Sequence, residues 1–390
     1  MTRSNSLPTY RPPWVSYLVV AMAMALAWGL RGVHGHERGG AIAGAMLGLS
    51  LAAVTGSPRW VGAAVLGSLG FAIGGALSYG RFVGLAFQGV WHGILALVLI
   101  GVAWGGIGGV ALGLGLAMPQ YRLWERLSIG LGLLGVWALI EFPLSTIKVQ
   151  GLHDLATRDL MILVLLGAWG LLTAYVGVWK HDQPSIRLAF AGALGFGIGF
   201  PLAAWIQGLG QMTGVTMDWW KVAEHSIGAL GGLSLAATAF ALDRGWTPPL
   251  EVRPWERWSA CAWLLWVIPV WALANNVTYW TRERAVMTPP QGWLIIQGAW
   301  LALAGLAVWG WLEIRRGRAF TVSWFPHQLR LLFLTFVWVV TAIAILKVVG
   351  PAGWSSWSST QTTFVLLAAA VTVLLPKPPH QWRTPTPSAV

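Results

Sequence analysis

The chain has 390 residues, 56% of them hydrophobic and only 10% charged, and its mean hydropathy is +0.65. Soluble globular domains carry about 25% charged residues, so this composition excludes one. The formal net charge of +12 would suit a nucleic-acid binder, but the basic residues are scattered through the connections between apolar runs. They read as a topology signal, with the lipid bilayer as partner and no nucleic acid implied.

Residues 1–13, ending in LPTYRPP, are polar and Pro-rich and are expected to form a flexible cytoplasmic arm. From residue 14 onward, apolar runs of the roughly 17–25 residues needed to cross a hydrocarbon core follow one another. They predict helices near 14–30, 39–55, 61–79, 91–117, 127–147, 160–179, 186–206, 221–242, 257–275, 292–314, 328–349 and 360–376. The expected fold is an all-α polytopic membrane protein of about twelve transmembrane helices, with no period-two pattern to suggest a barrel. With the N-terminus inside, 16 Lys and Arg fall on inner segments and 9 on outer ones, which predicts both termini in the cytoplasm of a bacterial inner membrane. The first run has some signal-peptide character but is too long for one and reads as an uncleaved span.

Two organisational features stand out along the chain. Gly40, Gly44 and Gly48 share one helix face, as do Gly101, Gly105, Gly109 and Gly113, which predicts close helix–helix seams in a Gly-rich core bundle over 14–242. The remaining spans, 243–375, are richer in Leu, Val and Trp and are expected to be peripheral, followed by a Pro-rich cytoplasmic tail at 376–390. Secondly, Gly44–Ala53 matches Gly228–Ala237 at eight of ten positions, and Gly67–Gly74 matches Gly192–Gly199 at six of eight. The first match pairs the second span with the eighth, a six-helix offset. The second pairs the third with the seventh, which suits a repeated hairpin instead.

Ionisable groups at membrane depth are costly and usually functional. The densest set joins the first two spans: Arg31, His34, His36, Glu37 and Arg38. A second opens the eighth span, where Lys221, Glu224 and His225 lie within one or two helical turns of one another. Glu141 sits deep in the fifth span with Lys148 on a similar face. Tyr79 and Arg81 connect the third and fourth spans, and Gln207 and Gln211 end the seventh. All fall on the outer side, and together they predict one polar site that attracts an anionic small molecule or lipid-linked group. Each also has a structural reading: arginines reaching headgroups, Glu37 at a helix N-terminus, Lys221 and Glu224 as an ion pair.

The His34–His36–Glu37 run lacks the spacing of a helical zinc motif, and Cys261 is alone, so no metal and no cofactor are expected. No phosphate loop, nucleophile elbow or dinucleotide fingerprint occurs. In span count and orientation the layout resembles the major facilitator superfamily in outline, with Asp243-Arg244-Gly245 after the eighth span. The stretch TGSPRW after the second span lacks that family's loop signature, and no residue role is carried over.

Three functions are compatible with these features. The favoured one is a secondary transporter or permease, in which the acids and histidines couple transport to protons. The second is a membrane transferase or hydrolase acting at the outer face, using His34 or His36 as base and Glu37 as its orienter. The third is a noncatalytic scaffold subunit. An oligomer is compatible with all three.

Overall fold

The computed structural model describes residues 13–376 except 58, 76, 78, 118–120, 123, 126–127, 139–154, 243–252, 317–325 and 353–355. Among the described residues every regular element is helical. The first half holds α1 (Trp14–His34), α2 (His36–Thr55), α3 (Trp60–Gly75), α4 (Gly80–Phe87), α5 (Trp91–Ala117) and α6 (Ser128–Ala138). Next come α7 (Leu155–Ala174, continued by a π-helical turn, Tyr175–Trp179), α8 (Gln183–Met212) and α9 (Trp219–Leu242). The last four are α10 (Pro254–Arg282, with a π-helical turn at Trp263–Val267), α11 (Pro289–Arg315), α12 (Pro326–Ala352) and α13 (Ser359–Leu374).

Sequences as rich in Gly as α2, α3 and α5 make poor helices in water. In lipid the backbone has no other donor or acceptor, so the helix forms regardless. Nine of the described helices are long and apolar enough to span a membrane, and α3 with α4 makes one further candidate, bent by 56°. The span expected at 61–79 therefore stops at Gly75. The connection that holds Arg81 is itself a short helix.

Six helices close into a ring in the order α1, α2, α3, α5, α8, α9 and back to α1, each antiparallel to its neighbours. Glycine makes the ring tight. A methyl at Gly40, Gly44 or Gly48 of α2 would strike the backbone of α3 at Phe71, Gly67 and Ala63 in turn. Gly101, Gly105, Gly109 and Gly113 of α5 meet α8 in the same way, at Phe196, Gly192, Leu188 and Ser185. Expelling water gains nothing between helices in lipid, so this backbone-to-backbone packing is what holds the ring. Its centre is filled by Trp28, Phe71, Trp104, Phe196 and Phe200. Their rings contact one another at centroid distances between 4.8 and 6.5 Å.

The ring also accounts for the two sequence matches. The matched stretches lie in α2 and α9, which flank α1, and in α3 and α8, which flank α5. Passing from α2 to α3 goes one way round the ring, and from α9 to α8 the other way, while each matched pair keeps its direction. That relation is a reflection, and no rotation of one hairpin produces the other. Similar packing demands on the two sides of the ring explain the similar residues.

Outside the ring, α10, α12 and α13 lie against α1 and α2, whereas α11 is almost wholly exposed. On the other flank α7 lies against α5.

Candidate functional site

The site begins with a one-residue turn. Gly35, at φ +78°, lets α1 reverse into α2, with its N–H bonded to the Arg31 carbonyl at 2.9 Å. Any other residue would be strained there. The reversal buries the C-terminal end of α1, whose last carbonyls then need donors. Distant residues provide them. Lys347 Nζ donates to Val33 O at 2.6 Å and Asn275 Nδ2 to the same oxygen at 3.4 Å. Farther back, at carbonyls inside the helix's own ladder, Lys221 Nζ reaches Gly29 O at 3.5 Å, and His225 Nδ1 stands 2.8 Å from Ala25 O, which fixes its proton on that nitrogen. The two lysines also face the negative end of the α1 dipole. Part of the polar knot is therefore helix capping.

A second layer is not explained by capping. Arg31 is only 6% exposed. Its guanidinium carbon lies 4.7 Å from the Tyr79 ring centre and 4.9 Å from that of Trp104. The Tyr79 hydroxyl donates to Glu224 Oε1 at 3.1 Å, and the Lys221 ammonium bonds the other carboxylate oxygen, Oε2. Tyr79 is held by stacking on Trp220, at 5.7 Å and 15°. Gly29 and Gly32 of α1 make room for these groups: a methyl on either would collide with the His225 imidazole or the Glu224 carboxylate. Among the described residues, Arg31 Nε and Nη2 are buried without an acceptor. Arg31 and Lys221 bring two positive charges, Glu224 one negative.

The structure thus brings Arg31, Tyr79, Lys221, Glu224 and His225 together; the other expected residues that it describes do not join that cluster. Arg38 turns to α10, where Nη1 donates to Asn275 Oδ1 at 3.0 Å and the guanidinium lies 6.0 Å from the Trp271 ring centre. His34 is fully buried, and His36 and Glu37 are half-buried in the first turn of α2. Arg81 is exposed on α4. Gln207 is buried in α8, and Gln211 is exposed one turn later. Glu141 and Lys148 lie outside the described residues. Among the described residues no three His, Cys, Asp or Glu side chains converge as metal ligands would.

Sequence reading missed Trp28, Trp104, Asn275 and Lys347 as parts of this region. Asn275 was open to detection, since Asn275–Asn276 is a polar pair inside an apolar run. Asn276 bonds the Ile343 carbonyl at 2.7 Å, tying α10 to α12. Asp218, at the start of α9, accepts from the Lys221 N–H at 3.1 Å and from Thr360 of α13 at 2.8 Å.

A separate polar cluster closes the opposite end. The Tyr121 hydroxyl donates to Asp182 Oδ2 at 2.8 Å, and Lys180 bonds Glu125. The bond from Lys180 holds the Glu125 carboxyl below the usual carboxylate range, and the same bond holds the Lys180 ammonium above the usual lysine range.

An all-helical body of many apolar, membrane-length helices with a buried polar cluster near one end defines a multi-pass integral membrane protein. No protein-family model, curated protein or solved structure matches the chain.

Proposed function

We propose that the chain is a permease for a small anion, with Arg31 as the group that recognises it. The observation that carries this reading is that, among the described residues, Arg31 Nε and Nη2 are buried without an acceptor. A buried cation costs several kcal/mol unless an acceptor meets it. Two aromatic faces return only about 0.5–2 kcal/mol each. The nearby carboxylate, Glu224, is already taken by Lys221 and Tyr79. We take the missing acceptor to be a bound anion, since no described residue supplies one, and a carboxylate or phosphate fits the planar guanidinium fork.

The path runs through the six-helix ring. Arg31 stands above the plug of Trp28, Phe71, Trp104, Phe196 and Phe200, and an apolar constriction of that kind is a gate. Passage needs the rings to part, and the α2–α3 and α5–α8 glycine seams are surfaces along which helices can slide. Glu224 and His225 are the proton-exchanging pair. The charge count supports twelve crossings with both termini in the cytoplasm of a bacterial inner membrane, and the Arg31 end outside. In the transferase reading His34 has no exposed surface from which to act as a base, which leaves the half-buried His36 as the base.

The test is solid-supported-membrane electrophysiology on proteoliposomes challenged with acetate, lactate, phosphate and sulfate. At least one anion is expected to give a saturable current in the wild type that vanishes in Arg31→Gln and survives in Arg81→Gln. Glu224→Gln is expected to lose uptake driven by a pH gradient while keeping anion counterflow. No current with any of the four, or currents insensitive to Arg31, would overturn the proposal.

A further inference from the structure

A cavity of about 720 Å³ lies on the flank opposite α12 and runs from Ile73 and Ile107, at the level of the aromatic plug, to Lys180 at the end of the molecule away from Arg31. Its floor is Ile73 of α3 and Ile107 of α5. Its walls are α6 (Ile129 to Val136) and α7 (Ala168 to Trp179). The volume falls within the roughly 300–1,000 Å³ that accommodates a drug-sized ligand. The lining is apolar except at one end, where Ser128, Tyr175 and Lys180 gather beside Trp124 and Trp179.

Three observations say what fills it. First, glycine behaves differently here. Gly44, Gly105 and their kind in the ring have no room for a methyl, but Gly132, which lines the cavity, has nothing within 4 Å. This small residue leaves space that the described protein does not occupy. Second, α7 ends in a π-helical turn, Tyr175–Trp179, and both end residues of that turn line the cavity. Such turns are frequent at functional sites. Third, the polar end has the make-up of a headgroup-level belt, two indoles and a cation. Lys180 Nζ lies 5.9 Å from both the Trp124 and the Tyr175 ring centres. Its ammonium has three donors, and Glu125 occupies one.

We infer that this cavity is a binding site for one anionic phospholipid, an acyl chain lying along Gly132 and Leu172 and the phosphate at Lys180. The apolar lining suits one acyl chain and the cation at the polar end suits a phosphate, with the rest of the lipid outside the cavity. The site stands apart from Arg31 and does not depend on the transport reading.

The experiment is photo-crosslinking of the full-length protein in vesicles of phosphatidylglycerol or phosphatidylcholine, each doped with a photoactivatable acyl-chain analogue of the same lipid. With phosphatidylglycerol, adducts are expected to concentrate on peptides 129–136 and 168–179, well above those on the exposed α11. Gly132→Trp, which fills the cavity, is expected to lower them at least fivefold. Lys180→Gln is expected to abolish the preference over phosphatidylcholine, compared at equal amounts of folded protein. Adducts spread evenly over α6, α7 and α11, or equal labelling from the two lipids in the wild type, would overturn the assignment. The peptide distribution in the wild type decides the matter even if Gly132→Trp fails to fold.

Discussion

Lys221 and Glu224 sit three residues apart on α9, and Glu224 also takes the Tyr79 hydroxyl across 145 residues of sequence. With Glu224 only 1% exposed, removing Lys221 leaves a carboxylate in the bundle with one neutral donor. Breaking a buried pair from one side costs about 3–5 kcal/mol, far more than losing an exposed one. Lys221→Met is therefore expected to destabilise the protein by about that amount. Lys221→Met/Glu224→Gln, with no stranded charge, should recover more than half, as read from denaturant unfolding in detergent. If the double variant is no more stable than the single, the pair is not what holds the acid. At the other end, the Glu125–Lys180 bond sets a pH window. Glu125 titrates below its usual 4.5 in the folded state, so its contribution is full above pH 4.5 and is lost as pH falls through the lowered value. Lys180 titrates above its usual 10.5, so its contribution is full below pH 10.5 and is lost as pH rises through the raised value. Lys180→Met should flatten both limbs. Melting temperatures at pH 3, 7 and 11 check this: the wild-type advantage over the variant should be largest at pH 7.

At the scale of the helix, glycine spacing was informative and glycine number was not. The four-residue spacing in α2 and α5 does mark backbone-to-backbone seams, because only a missing side chain allows such approach. Equally glycine-rich stretches in α6 and α7, such as Gly130 and Gly167, touch no neighbour. The two kinds should respond oppositely to a methyl. Gly44→Ala and Gly105→Ala are expected to cost about 1–3 kcal/mol by overpacking. Gly130→Ala and Gly167→Ala should gain a few tenths of a kcal/mol, roughly the helix propensity of alanine less lost flexibility. Thermal unfolding of the four variants in one detergent decides between seam and open face. The spans themselves were legible because a run of apolar residues has one fate in lipid. The break at Gly75 was not: the span there was expected to reach residue 79, and it ends early where Tyr79 turns inward to meet Glu224. Nothing local encodes a partner so far along the chain. The same distance hid the surroundings of the donors of Arg31. Its charge was evident from sequence, but its position between Tyr79 and Trp104 depends on three helices closing a ring.

For the whole molecule, orientation is the property on which the direction of the proposed transport depends. The polar groups sort to two ends. Arg31, Lys221 and Lys347 belong to one, with Gln211 exposed nearby, since Gly210 packs on Trp219 at the start of α9. Arg122, Glu125 and Lys180 belong to the other. The inner segments hold 16 of the 25 basic residues if the second end faces the cytoplasm. Each Lys or Arg left on the cytoplasmic side adds about 1 kcal/mol of attraction to the anionic leaflet, so an excess of that size is a strong bias. The chain has a single cysteine, Cys261, which makes the bias directly measurable. In a Cys261→Ser background, Gln211→Cys and Arg122→Cys place one exposed thiol at either end. A membrane-impermeant maleimide applied to intact cells is expected to label Gln211→Cys alone, and applied to inverted vesicles, Arg122→Cys alone. The reverse pattern would put the Arg31 site on the cytoplasmic face. An anion bound there would be drawn from the cytosol, and the proposed permease would then act as an exporter rather than an importer.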